Sequence, residues 1–175
     1  DPRVHEAIVR AAAPTSADWV VEIGAGLGTL TARLLGPAGR VLAVERDRDM
    51  IAVLRGELEG REHLEIVEQN ALELDYPALA QRAGRPLVVV GNLPYQIASP
   101  LLFRLLEARR HLARAVVMLQ KEMADRIVAR PGTKAYGALG VTVTWTPFRV
   151  GRTSTFREET RRRRVWLASV PDSAR

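Results

Sequence analysis

The sequence alternates short apolar runs with amphipathic ones, and each apolar run stops at a polar residue or a glycine. Trp19-Val20-Val21-Glu22-Ile23, Val41-Leu42-Ala43-Val44-Glu45, Leu64-Glu65-Ile66-Val67-Glu68, Val88-Val89-Val90 and Arg114-Ala115-Val116-Val117-Met118-Leu119 are rich in β-branched residues and too short for buried helices. They are predicted strands. Between them the apolar spacing is helical. Residues 3–12 place Val4, Ala7, Ile8 and Ala11 on one face, and residues 47–59 carry Met50, Val53 and Leu54 as an apolar stripe. A short helix is expected over 76–83. Ser99 and Pro100 have the pattern of an N-cap and first residue for a helix opening at Leu101. Another helix starts at Gln120-Lys121-Glu122, runs through Val128 and is closed by Pro131-Gly132. Residues 141–145 and 164–168 are two further candidate strands. This alternation predicts an α/β, Rossmann-like fold with a mainly parallel sheet covered by helices on both faces. Ligands of such folds bind at the carboxyl edge of the strands.

The first strand runs into Gly24-Ala25-Gly26-Leu27-Gly28, with a helical run beginning near Thr29. A strand, a glycine-rich turn and a helix bring backbone N–H groups to a ligand without intervening Cβ atoms. The dinucleotide fingerprint G-x-G-x-x-G needs a glycine where this chain has Thr29, so a NAD site is disfavoured. Glu45 ends the second strand about twenty residues after the turn, where ribose hydroxyls need an acceptor. Asn70 is the edge residue at the end of the third strand and carries a side-chain acceptor oxygen.

The fourth strand ends abruptly at Gly91-Asn92-Leu93-Pro94-Tyr95. Pro94 fixes its own φ and drives Leu93 towards an extended conformation, which can turn the Leu93 carbonyl and the Asn92 side-chain oxygen the same way. Two acceptors suit the two N–H groups of a nucleobase amine, and Tyr95 offers a ring for stacking. That pattern suits methylation of adenine N6. Asn, Pro and Gly also punctuate ordinary turns, so the tetrapeptide by itself leaves both readings open.

Composition narrows the rest. A length of 175 residues with 47% hydrophobic content fits one domain with a substantial core. There is no cysteine, and His5, His63 and His111 are scattered, so no metal site is expected. No apolar run approaches a membrane span and no signal-peptide pattern opens the chain, so a cytoplasmic protein is expected. The formal charge of +6 is uneven, because residues 151–175 hold seven Arg against three acids. The expected organisation is a catalytic domain over 1–150 and a basic tail over 151–175 that could supply a last strand.

Taken together, Val21-Glu22-Ile23-Gly24-Ala25-Gly26, Gly91-Asn92-Leu93-Pro94-Tyr95, Leu119-Gln120-Lys121-Glu122 and Pro131-Gly132-Thr133-Lys134-Ala135-Tyr136-Gly137 resemble the bacterial small-subunit ribosomal RNA adenine dimethyltransferases of the KsgA type. The resemblance covers residues 19–148. It implies the Rossmann-like class I methyltransferase fold with S-adenosylmethionine as cofactor and ribosomal RNA of the small subunit as substrate, two adjacent adenosines each being dimethylated at N6. It places the cofactor against Glu22, Gly24, Gly26, Glu45, Arg46, Asn70, Ala71 and Asn92, and the chemistry at Asn92, Leu93, Pro94 and Tyr95. The family usually has Asp where this chain has Asn70. Its Gln-Asn-Phe-Leu segment before the first helix, its prolines after Phe156 and its carboxyl-terminal helical domain are expected to be missing. A monomer is expected. The alternatives are an Erm-like large-subunit adenine methyltransferase and a non-catalytic RNA-binding assembly factor.

Overall fold

The computed structural model describes residues 2–58, 60–127, 129, 132–133, 149–152 and 163–169. In chain order they form α1 (Pro2–Ala12), β1 (Trp19–Ile23), α2 (Thr29–Leu34), β2 (Arg40–Glu45), α3 (Arg48–Leu58), β3 (Leu64–Glu68), α4 (Tyr76–Ala83), β4 (Leu87–Asn92), α5 (Tyr95–Glu107), β5 (Leu112–Gln120), α6 (Lys121–Ile127), β6 (Arg149–Arg152) and β7 (Arg163–Ser169). The sheet order is β3-β2-β1-β4-β5-β7-β6. The first five strands are parallel, whereas β7 runs antiparallel to β5 and β6 antiparallel to β7.

Continuous apolar runs are what strands covered on both faces require. Val20, Val21, Val41, Leu42, Ala43, Val88, Val89 and Val90 are all fully buried. Alternate residues serve opposite faces. Val21, Ile23, Leu42, Val44, Leu87 and Val89 pack with Tyr76, Leu101, Leu105 and Met123 of α4, α5 and α6. Val20, Val41, Val88, Val90 and Val116 pack with Ile8 and Leu34 of α1 and α2. A smaller cluster of Ala25, Ala43, Leu54 and Leu58 seats α3.

Two local expectations need correction. The buried stripe of α3 is Ile51, Leu54 and Leu58, and Met50 and Val53 face outward. The true i, i+3, i+7 spacing selects the sheet-facing side. The helix after β4 opens at Tyr95, immediately after Pro94, and Pro100 lies inside it. Pro94 sits at φ −66°, ψ 146°, which ends the extended segment and frees the next residue to turn. Ala98, Leu101 and Leu105 then bury against the sheet, and that packing carries the helix through a residue lacking an N–H. The candidate strand over 141–145 and residues 134–137 of the fourth motif lie outside the described residues. Residues 163–169, within the segment expected as a tail, form β7. No helix among the described residues is long and apolar enough to cross a membrane.

Candidate active site

β1 lies between β2 and β4, so the crossover connections leave it in opposite directions and open a crevice at its carboxyl end. Ile23 pairs with Gly91, which brings the ends of β1 and β4 side by side. The glycine turn and the Asn92 loop therefore emerge next to each other.

The turn is pinned from below, with the Gly24 and Ala25 N–H groups both donating to the Val44 carbonyl, at 2.9 and 3.2 Å. Gly24 and Gly26 have φ of 72° and 54°, in the left-handed region that a Cβ disfavours. A Cβ built on either would meet no atom within 4 Å. Their bare faces look onto open space. Gly28 differs, because a Cβ there would come 2.5 Å from Leu54 Cδ1, so its smallness serves the packing of α3.

Glu45, at the end of β2, reaches back to the turn. Its Oε2 accepts from Gly26 N–H at 3.0 Å, and its Oε1 from the N–H groups of Arg46 and Asp47 at 2.8 and 3.0 Å. Three donors orient the carboxylate while leaving lone pairs for hydroxyl groups. Arg46 beside it is exposed.

Glu22 is placed otherwise. It is buried within β1, and its Oε2 accepts from the Thr31 hydroxyl at 2.6 Å. Burial pushes its carboxyl up to about 8, with the Thr31 hydroxyl opposing the rise and the Glu45 charge adding to it. Burial thus favours the neutral acid, and Glu22 ties β1 to α2 under the glycine turn. Thr31 was missed from the sequence, where nothing in a helical Thr marks its partner.

Asn70 caps a 3-10 turn, Ala71–Glu73, by accepting from Leu72 N–H at 3.1 Å and donating from Nδ2 to Glu73 Oε1, also at 3.1 Å. The Asn-x-x-Glu spacing of a capping box is the sequence signal for this. One lone pair of its oxygen remains for a ligand. Ala71 is buried.

Asn92 is exposed between two buried neighbours, Gly91 and Leu93. The Leu93 N–H donates to the Met118 carbonyl at 3.1 Å, which fixes the loop to β5. A Cβ on Gly91 would lie 3.0 Å from the Ile23 carbonyl oxygen, so glycine is needed for the close approach to β1. The main chain around Asn92 is therefore held on both sides while its amide projects from the edge. Tyr95 begins α5 two residues beyond Leu93.

Residues 1–148 match the ribosomal RNA adenine dimethylase family. A ribosomal RNA small subunit methyltransferase A of Anaeromyxobacter dehalogenans is 51% identical over 146 residues, covering 79% of this chain and 51% of that protein. One from Pelotomaculum thermopropionicum is 45% identical over 166 residues, covering 87% and 56%. The chain spans about half the length of these relatives. Among solved structures, a dimethyladenosine transferase from Plasmodium falciparum superposes with a TM-score of 0.82 at 30% identity, over 99% of this chain and 63% of that one. The 23S rRNA methyltransferase ErmE gives 0.78 at 25% identity, over 98% and 69%. With its sheet order, its glycine turn and its Asn92 loop, this chain belongs to the ribosomal RNA adenine dimethylase family.

Proposed function

We propose that residues 1–150 form the catalytic domain of a methyltransferase that uses S-adenosylmethionine to dimethylate N6 of two adjacent adenosines in small-subunit ribosomal RNA. The observation that carries this reading is the juxtaposition at the switch point of an open-faced glycine turn and an exposed Asn92 on a pinned loop. The bare faces of Gly24 and Gly26, the oriented carboxylate of Glu45 and the remaining acceptor of Asn70 fit an adenosine-bearing cofactor. When bound, S-adenosylmethionine supplies an electrophilic methyl group on a sulfonium. Glu45, with Arg46 at its rim, would hold the ribose hydroxyls, and Asn70 and Ala71 would hold the cofactor's adenine.

The chain's own contribution is alignment. Asn92 Oδ1 and the Leu93 carbonyl accept from the target amine, favour a more nucleophilic nitrogen and stabilise charge developing on its N–H groups. Pro94 keeps the loop extended, and Tyr95 provides the face on which an adenine turned out of its stack rests. Rigidity at Gly91 and Leu93 supports this, since the acceptors must hold their place as the amine changes shape.

Small-subunit RNA is favoured over the large-subunit target of ErmE by the relatives at 45–51% identity, against 25% for ErmE. The protein is read as a cytoplasmic monomer acting on small ribosomal subunits. Calorimetry with S-adenosylmethionine, then mass spectrometry of RNA from small and large subunits incubated with the chain, tests the whole reading. Methylation of large-subunit RNA alone would transfer the assignment to the Erm type, and absence of cofactor binding would leave an RNA-binding factor. Glu45→Ala is expected to weaken cofactor binding by roughly 1–3 kcal/mol, the usual size of a charged hydrogen bond.

A further inference from the structure

The 3-10 turn that carries Asn70 and Ala71 is too short to hold itself. Glu73 N–H donates to the Asn70 carbonyl at 2.9 Å, and side chains hold the rest. Tyr76 donates its hydroxyl to the Ala71 carbonyl at 3.4 Å, and Gln69 Nε2 donates to the Glu73 carbonyl at 3.3 Å. These supports are local.

Arg104 comes from elsewhere. Its Nε donates to the Leu72 carbonyl at 3.2 Å and its Nη2 to the Leu74 carbonyl at 3.4 Å, across 32 and 30 residues. Its Nη1 is held by Glu107 Oε2 at 3.1 Å, which fixes the guanidinium plane. Arg104 belongs to α5, the helix that begins directly after Asn92-Leu93-Pro94. Only a planar fork with several donors can span two successive carbonyls and a carboxylate at once. One side chain thus joins the turn on the cofactor side to the helix on the substrate side.

We propose that Arg104 is a positioning residue that couples the two halves of the site, so that ordering the Asn70–Ala71 turn also orders the Asn92 loop. The inference rests on the assignment of those two segments to cofactor and substrate. Coupling between sites is reciprocal, so S-adenosylhomocysteine and the small ribosomal subunit each tighten the binding of the other.

The test compares the full chain with Arg104→Met, Arg104→Lys and Glu107→Gln. Calorimetry measures affinity for S-adenosylhomocysteine, and filter binding measures affinity for small subunits with and without it. Arg104→Met keeps the stem and removes the donors, so it should bind S-adenosylhomocysteine about tenfold more weakly and lose the mutual enhancement. Arg104→Lys should fall between, and Glu107→Gln, which keeps an acceptor oxygen for Nη1, should match the parent. If Arg104→Met does not fold, Arg104→Lys is judged by the same two readings. An enhancement of equal size in parent and variant, or none in the parent, overturns the proposal. Asn70→Ala separates the two levels. If it leaves affinity unchanged, the cofactor assignment itself fails. If it weakens binding while the Arg104 variants bind normally, the coupling inference alone fails.

Discussion

The two edges of the sheet are built from similar residues and differ in what they leave open to a ligand. At the amino edge several charged groups find their partners within the chain, although Arg40 Nε is left without one among the described residues. Asp18 accepts from the Thr15 N–H and hydroxyl at 2.8 and 2.9 Å and pairs with Arg114 at 3.3 Å and Arg85 at 3.8 Å. Burial works to raise Asp18, but Thr15 and the two guanidinium groups outweigh it and hold the carboxyl below its usual range. Arg114 also donates to the carbonyls of Ala12 and Ala13. Glu65 takes both Arg82, at 2.6 Å, and Arg40, at 3.3 Å, while both guanidinium groups lie over Trp19. At the carboxyl edge Asn92 and Arg46 are exposed, and Glu45 keeps unused lone pairs. The glycines make the contrast sharpest. A Cβ on Gly39, at the amino edge, would sit 2.1 Å from the Ser16 carbonyl oxygen, whereas one on Gly24 or Gly26 meets nothing. Residue type alone does not separate structural from ligand-facing groups; the location of the partner does.

The largest expected effect is at the open edge. Asn92→Ala should lower the single-turnover methylation rate by roughly 10²- to 10³-fold, the cost of one preorganised acceptor, with little change in melting temperature or cofactor affinity. A near-normal rate would remove Asn92 from the chemistry. The closed edge should respond in the other currency. Gly39→Ala forces a methyl group against backbone and should cost about 3 kcal/mol in urea unfolding, with cofactor affinity per folded molecule preserved. Equal losses of affinity and stability would erase the distinction between the edges. Gly26→Ala lies between them: the left-handed backbone costs about 1–2 kcal/mol, and the added methyl group occupies the ligand's space, so affinity should fall by more than stability does. Normal cofactor affinity in this variant would mean that the open face is not where the ligand lies.

The smallest effect concerns pH. Glu22 has its carboxyl raised from an ordinary 4.5 to about 8, so between those values the folded chain holds a proton that the unfolded chain has released. Stability from this group is fully present below about 4.5, declines as pH rises towards 8, and is level above that. Glu22→Gln keeps an acceptor for Thr31 and should flatten this part of the profile. Melting curves from pH 5 to 9 check it, and identical slopes in the two proteins would show that Glu22 does not carry the proton.

Much of the frame was legible because local and global demands agree. β1, β3 and α4 have the boundaries expected from their apolar runs, and Asp75 and Gly84 cap α4 as their residue types suggest. The start of α5 was misread because Ser99-Pro100 is a good local opening, and burial of Ala98 and Leu101 overrides it. In the site, spacing pointed to the glycine turn, Glu45, Asn70 and Asn92. Spacing could not reveal that Glu45 binds the turn's own Gly26 N–H or that Thr31 holds Glu22. Both contacts depend on how elements are brought together in space, and a sequence carries no mark of them.

The insertion of β7 between β5 and β6 gives the chain a particular order of assembly during synthesis. β6 emerges from the ribosome before its neighbour in the sheet exists. The outer edge of β5, paired from Arg114 opposite Ser169 to Gln120 opposite Arg163, remains a row of free N–H and carbonyl groups until residue 169 has been made. Until then the nascent chain carries an open template for strand addition, although folding of the parallel part is already possible. Chains lacking β7 are therefore the species expected to self-associate.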